Sequence, residues 1–112
     1  MVGTVNDPTF GPTVAFGLGG VFTELLKDVT HRFAPFDAET AREMIGEIKG
    51  APLLTGYRGR PALDVGALAD ALARVSWLIA DHADRIAELD VNPLFVREQG
   101  VVAADALIVL KS

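Results

Sequence analysis

The spacing of apolar residues changes character along the chain, and each change predicts a different element. Thr13-Val14-Ala15-Phe16 is a β-branched and aromatic run between Gly11-Pro12 and Gly17-Leu18-Gly19-Gly20, which predicts a short strand. Val21 to Phe33 fits two patterns: Leu25, Leu26 and Val29 have helical spacing, whereas Val29, Thr30 and Phe33 suit a strand. A short turn and then a strand ending before Pro35 is the reading adopted. Val2-Gly3-Thr4-Val5 reads as the middle of a strand whose partners would lie upstream.

From Asp37 the period becomes helical. Asp37 can cap a helix with Ala41, Met44, Ile45 and Ile48 on one stripe, and Gly50 with Pro52 stops it. After the loop Thr55-Gly56-Tyr57-Arg58-Gly59-Arg60-Pro61, Asp64 opens a longer helix with Val65, Leu68, Leu72, Val75 and Ile79 on its apolar face. Trp77 is read as a packing residue. The period then drops to two. Leu89 and Val91 can face a core while Glu88, Asp90 and Asn92 share the opposite surface. Phe95-Val96-Arg97 and Val101-Val102-Ala103 flank a hairpin turn at Gln99-Gly100, and Leu107 to Leu110 prolongs the returning strand. Strands, two helices on one face and a closing hairpin predict an α+β fold, mainly an antiparallel sheet with the helices packed on one side.

Length and composition narrow the classes. At 112 residues, half of them hydrophobic, the chain reads as a single domain over 1–112 with enough apolar surface for a core. Ten basic against fifteen acidic side chains give a net charge of -5, so no broad positive field draws nucleic acid. The absence of cysteine excludes disulfides, thiolate metal sites and a cysteine nucleophile, and fits a reducing cytoplasm. No apolar run approaches the roughly 18 residues of a membrane span.

Chemistry concentrates in few places. Asp90, Asn92 and Asp105 supply hard oxygen donors. With Gln99-Gly100 as a two-residue loop, Asp105 falls opposite Leu94, on the same face as Asn92; a three-residue turn would reverse it. Magnesium favours such donors, and solvated polar residues at strand ends are the alternative reading. Gly17, Gly19 and Gly20 would let backbone amides approach phosphate oxygens, or simply turn the chain. Arg58 and Arg60 present two forked guanidinium groups suited to phosphate or carboxylate. His31 and His82 stand in no ligand or nucleophile motif, and Glu24 could be an acid, a base or a helix-end residue.

Taken in order, Asp7-Pro8-Thr9-Phe10-Gly11-Pro12, Phe16-Gly17-Leu18-Gly19-Gly20, Leu26-Lys27-Asp28-Val29, Arg32-Phe33-Ala34-Pro35, Leu54-Thr55-Gly56-Tyr57-Arg58-Gly59 and Glu88-Leu89-Asp90-Val91-Asn92-Pro93-Leu94 resemble one family across nearly the whole chain. It is the C-terminal subdomain of the ATP-grasp domain of NDP-forming (ADP-forming) acyl-CoA synthetases, similar in turn to the succinyl-CoA synthetase β subunit. The resemblance implies that Asn92 and Asp105 hold the nucleotide magnesium. It implies that Asp90 is the catalytic acidic position orienting a phosphohistidine; on the chemistry of their own residues, Gly17, Gly19, Gly20 and Arg58 are the positions expected to contact ATP or ADP. Leu107 departs from it, standing where the family commonly has a basic residue after the Asp-Ala pair.

The implied reaction is acyl-CoA plus ADP and phosphate giving acid, CoA and ATP, through acyl phosphate and phosphohistidine. The implied partners are the ATP-grasp N-terminal subdomain, with its lysine and base pocket, and the CoA-binding and ligase domains with the histidine. None of these is in the sequence, so the isolated chain is expected to be inactive. The acyl group and the choice of ADP or GDP stay open. The rival expectations are a noncatalytic module that docks a partner, and a structural remnant that forms homo-oligomers through exposed apolar surface.

Overall fold

The computed structural model describes residues 1–18 and 28–112, so Gly19, Gly20 and Glu24 lie outside the described residues. The strands are β1 (Val2–Asp7), β2 (Gly11–Gly17), β3 (Val29–Phe33), β4 (Ile86–Val91), β5 (Leu94–Val96), β6 (Val101–Ala103) and β7 (Ala106–Leu110). The helices are α1 (Ala38–Glu47), α2 (Pro52–Thr55) and α3 (Val65–Asp81). A five-stranded antiparallel sheet has the order β3-β2-β1-β4-β7, and β5 and β6 form a separate ribbon. The short α2 adds a third helix to the two expected, because Pro52 suits a first helical turn and Gly56, at φ +115°, closes it.

The expectation for Val2-Gly3-Thr4-Val5 is corrected. The strand exists, but its partners are β2 and β4, both downstream in sequence. A strand's own pattern states that it is paired, not with what; here a tight turn closed by Asp7, whose Oδ1 accepts from the Thr9 and Phe10 amides, returns the chain at once as β2.

Parity along the strands separates two faces. Val2 and Thr4, Val14 and Phe16, and Leu89 and Val91 point to the helices and are buried with Met44, Ile45, Leu68, Leu72 and Ile79. A buried leucine or isoleucine of this kind contributes roughly 1.5–3 kcal/mol of transfer free energy. Both main helices start as read: the Asp37 carboxylate accepts from Thr40 N, and Asp64 from Ala67 N. Asp28 closes the other end of α1, accepting from the Lys49 and Gly50 amides at 2.6 and 2.9 Å. Trp77 corrects its expectation: it is 53% exposed, because α3 turns Ala73, Ser76 and Ile79 inward instead.

Candidate functional site

The other sheet face is covered by nothing among the described residues. Alternation places Gly3 and Val5, Thr13 and Ala15, His31 and Phe33, Glu88 and Asp90, and Leu107 and Val109 on it. In the middle the side chains are small, so the surface dips into a hollow of about 390 Å³ lined by Gly3, Ala15, Thr13, His31, Glu88 and Asp90 among others. The Gly3 position opens directly onto the Asp90 carboxylate: a β-carbon built there would stand 3.8 Å from Asp90 Oδ1.

The pair Asn92 and Asp105 forms at one end of this face through the register of the closing hairpin. The Arg97 amide donates to the Gly100 carbonyl at 3.0 Å, so the loop is Glu98-Gln99 and lies one residue earlier than the expected Gln99-Gly100. Gly100 takes φ +81° and closes the turn from its end, a left-handed position that glycine fills without strain. Moving the loop by one residue moves the register by two, so Asp105 lies across from Asn92 and not, as expected, from Leu94. The Asn92 amide donates to the Asp105 carbonyl at 3.1 Å. The pairing of Val91 with Ala106 and Asp90 with Leu107 continues the same register. An even shift leaves parity unchanged, so Asn92 and Asp105 share the face of Asp90. All three are exposed. Asp105 Oδ1 also accepts from the Ala106 amide at 2.9 Å, which steadies the carboxylate.

Gly17 closes the same end of the sheet. Its amide donates to the Met1 carbonyl at 3.1 Å and its carbonyl accepts from the Met1 ammonium at 2.7 Å. Burial holds that ammonium below its ordinary pKa, with the charge of Asp90 acting in the opposite direction. Because Val2 pairs with both Phe16 and Val91, Met1 stands between Gly17 and Asn92. Gly17, Asn92 and Asp105 therefore occupy one row across the sheet. Leu107, 61% exposed, is the cross-strand neighbour of Asp90, and Asp90 makes no ion pair among the described residues.

Arg58 is elsewhere. It lies on the segment that joins α2 to α3 and lines a different cavity from Asp90. The structure does not bring it to Asn92 and Asp105. His82 ends α3, and its amide donates to Leu78 O. Two residues carry more than the sequence disclosed. His31 reaches the hollow by strand parity alone. Asp64, beyond capping α3, accepts from Gly100 N at 2.7 Å, and its amide donates to Arg97 O at 2.6 Å, clamping the hairpin tip to the helix. The bonds from Gly100 and Ala67 hold its carboxyl below the usual range.

The donors at the Asn92 end are an amide oxygen and two carboxylates, all hard, exposed and in no ion pair with a basic side chain among the described residues. That set suits magnesium, which takes one or two carboxylates and completes its shell with water and phosphate oxygens. No group of three histidine, cysteine or acidic side chains clusters as a metal site among the described residues, so ligand oxygens would have to complete the shell.

Residues 1–110 match the family described as an ATP-grasp domain. The chain is 48% identical over 113 residues to the β subunit of acetate–CoA ligase [ADP-forming] II of Pyrococcus furiosus, covering 99% of this chain and 48% of that one. It is 46% identical over 110 residues to acetate–CoA ligase [ADP-forming] I of Archaeoglobus fulgidus, covering 98% of this chain and 16% of that protein. Among solved structures it superposes with a TM-score of 0.90 and 46% identity on the dinucleotide-forming acetyl-coenzyme A synthetase 1 of Ca. Korarchaeum cryptofilum, in complex with coenzyme A and Mg-AMPPCP. That match covers 98% of this chain and 51% of that one. The chain thus spans about half the length of the Pyrococcus subunit it matches. No helix among the described residues is long and apolar enough to cross a membrane.

Proposed function

The chain belongs to the ATP-grasp domain family, and from that premise we propose that it is the C-terminal subdomain of the ATP-grasp domain of an ADP-forming acyl-CoA synthetase. The observation that carries the proposal is the cross-strand placement of Asn92 and Asp105 on an uncovered sheet face, in one row with Gly17. The Asn92 amide oxygen and the Asp105 carboxylate would hold magnesium. When bound, the ion would neutralise charge on nucleotide phosphate oxygens, the main electrostatic need of phosphoryl transfer.

The remaining roles belong to this chain's own groups. Gly17 itself is buried, with its amide and carbonyl both bonded to Met1, so it marks the end of the row and leaves the phosphate contacts to other groups. Asp90, in the hollow and in no ion pair with a side-chain cation among the described residues, can accept a hydrogen bond from an imidazole N–H and so orient a histidine that carries the phosphoryl group. The Korarchaeum synthetase with Mg-AMPPCP has its phosphohistidine segment pointing towards the nucleotide site, which supports that role by likeness. The reaction is acyl-CoA plus ADP and phosphate to acid, CoA and ATP. Because relatives are longer, the nucleotide-gripping lysine, the base pocket and the CoA-binding and ligase domains lie outside these 112 residues, and these residues alone do not turn over.

Isothermal titration with Mg-ATP tests the half-site directly: the proposal expects feeble binding by the chain alone, and submicromolar affinity contradicts it. Mixing with the companion half and the CoA-binding subunit should restore ATP formation, and Asp105→Asn should abolish it; tight association without activity favours a noncatalytic docking module instead. Exposure along β7, where Leu107, Ile108 and Leu110 are uncovered, favours self-association as a second reading. Light scattering showing a monodisperse monomer at high concentration rules that reading out.

A further inference from the structure

The segment joining α2 to α3 has a feature that the acidic face does not use. Tyr57 and Arg60 form an isolated antiparallel bridge, and the Arg60 amide donates to the Tyr57 carbonyl at 3.0 Å. The two residues between them have φ of +48° at Arg58 and +80° at Gly59. Positive φ at both central positions is the mark of a type I′ turn, whose favoured pair is Asn-Gly, because a longer side chain in the left-handed region crowds its own backbone. This chain places arginine there. Arg58 is the sole non-glycine residue with positive φ among the described residues, so turn geometry argues against the residue that occupies it. Such strain persists where the side chain itself is needed.

The side chains around it supply the need. The Arg58 guanidinium carbon stands 5.2 Å from the centroid of the Tyr57 ring, which holds the planar fork in place. Arg60 leaves the other strand of the bridge, and together with Leu53 and Tyr57 the two arginines line a cavity of about 420 Å³. Neither guanidinium has a carboxylate within ion-pair distance among the described residues, although the chain carries a net charge of -5. Two cations thus converge on one cavity in an acidic protein without a counter-charge.

We infer that this turn is a second anion site, separate from the acidic face, that takes a diphosphate group between Arg58 and Arg60. Each fork can grip phosphate oxygens bidentately, and two forks on one cavity match two linked phosphates better than one. Leu53 and Tyr57, themselves exposed, form the walls of this open cavity. The site needs no metal, shares no lining residue with the hollow over Asp90, and stands whether or not the acidic face binds a nucleotide.

The test is a titration of the full chain with pyrophosphate, in EDTA at constant ionic strength, followed by amide shifts in ¹H–¹⁵N spectra. Saturable shifts confined to residues 53–60 are expected. Arg58→Asn supplies the residue the turn prefers, so it should melt at the same or a higher temperature while weakening pyrophosphate at least tenfold; Arg60→Gln should weaken it similarly. A parallel titration with ADP distinguishes the source: equal affinity at 53–60 assigns the site to free diphosphate, and tighter binding there assigns it to a nucleotide. Shifts that do not saturate or that spread over the surface overturn the inference. So does undiminished binding by Arg58→Asn, a lower melting temperature for that variant, or ADP shifts restricted to 90–105.

Discussion

Gly3→Ala is expected to stabilise the fold while impairing the site, and the structure gives the size of the first effect. Gly3 lies in the middle of β1 with ordinary negative φ, paired with Ala15 on one side and Asp90 on the other. The nearest atoms to an added β-carbon are Met1 Sδ at 3.7 Å and Asp90 Oδ1 at 3.8 Å, both ordinary van der Waals distances, so no steric penalty offsets the substitution. What remains is the smaller conformational entropy of the unfolded chain, a gain of roughly 0.4–1 kcal/mol. For a domain of this size that corresponds to a rise in Tm of roughly 2–4 °C. Urea unfolding followed by circular dichroism measures it, with the slope unchanged and the midpoint moved upward. The same methyl raises the floor of the hollow beside Asp90, so kcat/KM of the reconstituted enzyme should fall. Destabilisation by more than about 0.5 kcal/mol would refute the open geometry at Gly3, and unchanged kcat/KM in a stabilised variant would refute the use of that hollow.

The remaining predictions concern what holds the site in place. Ser76 is fully buried and its Oγ accepts from the Phe36 amide at 3.0 Å, so Ser76→Ala orphans a buried N–H and should cost roughly 1–3 kcal/mol in chemical denaturation; a loss below half of that would mean another group takes the amide. Asp64 binds the Gly100 and Ala67 amides, which depress its folded pKa. Its stabilising contribution is therefore complete above the unfolded value of about 3.9 and is lost as pH falls through the lower folded value. Stability measured from pH 6 to 2 should fall less steeply in Asp64→Asn than in the natural chain, and an identical acid limb would contradict the clamp.

Most of the scaffold is legible in the sequence because it rests on local chemistry. Asp37 and Asp64 each sit three residues before the amide they cap, and the stripe from Leu68 to Ile79 has one period from end to end. Strand parity from Glu88 to Asn92 likewise assigns Asp90 and Asn92 to one face without reference to the rest of the chain. What local chemistry does not carry is pairing. The upstream partners expected for β1 are wrong because the strand's pattern is silent about its neighbours. The Asp105 register is two residues off because Gly100 is a signal for a turn but not for its place within the turn. The site survives that error since an even shift preserves the face. The type of residue at Arg58 suits a nucleotide contact, but where its loop lies relative to Asn92 and Asp105 depends on tertiary packing that local sequence does not carry. His31 is invisible as a hollow-lining residue until β3 is aligned beside β2, when Ala15 becomes its neighbour.

The most direct measurement is paramagnetic broadening of ¹⁵N-labelled chain by manganous ion, which shares magnesium's preference for octahedral oxygen donors. At low manganese the amides of Asn92 and Asp105 should broaden first, with Asp90 next, and Asp105→Asn combined with Asn92→Ala should remove the effect while leaving the remaining spectrum in place. Broadening that begins at another carboxylate, such as Asp81 or Asp84 at the end of α3, or that persists in the double variant, would contradict the assignment of the metal to this pair.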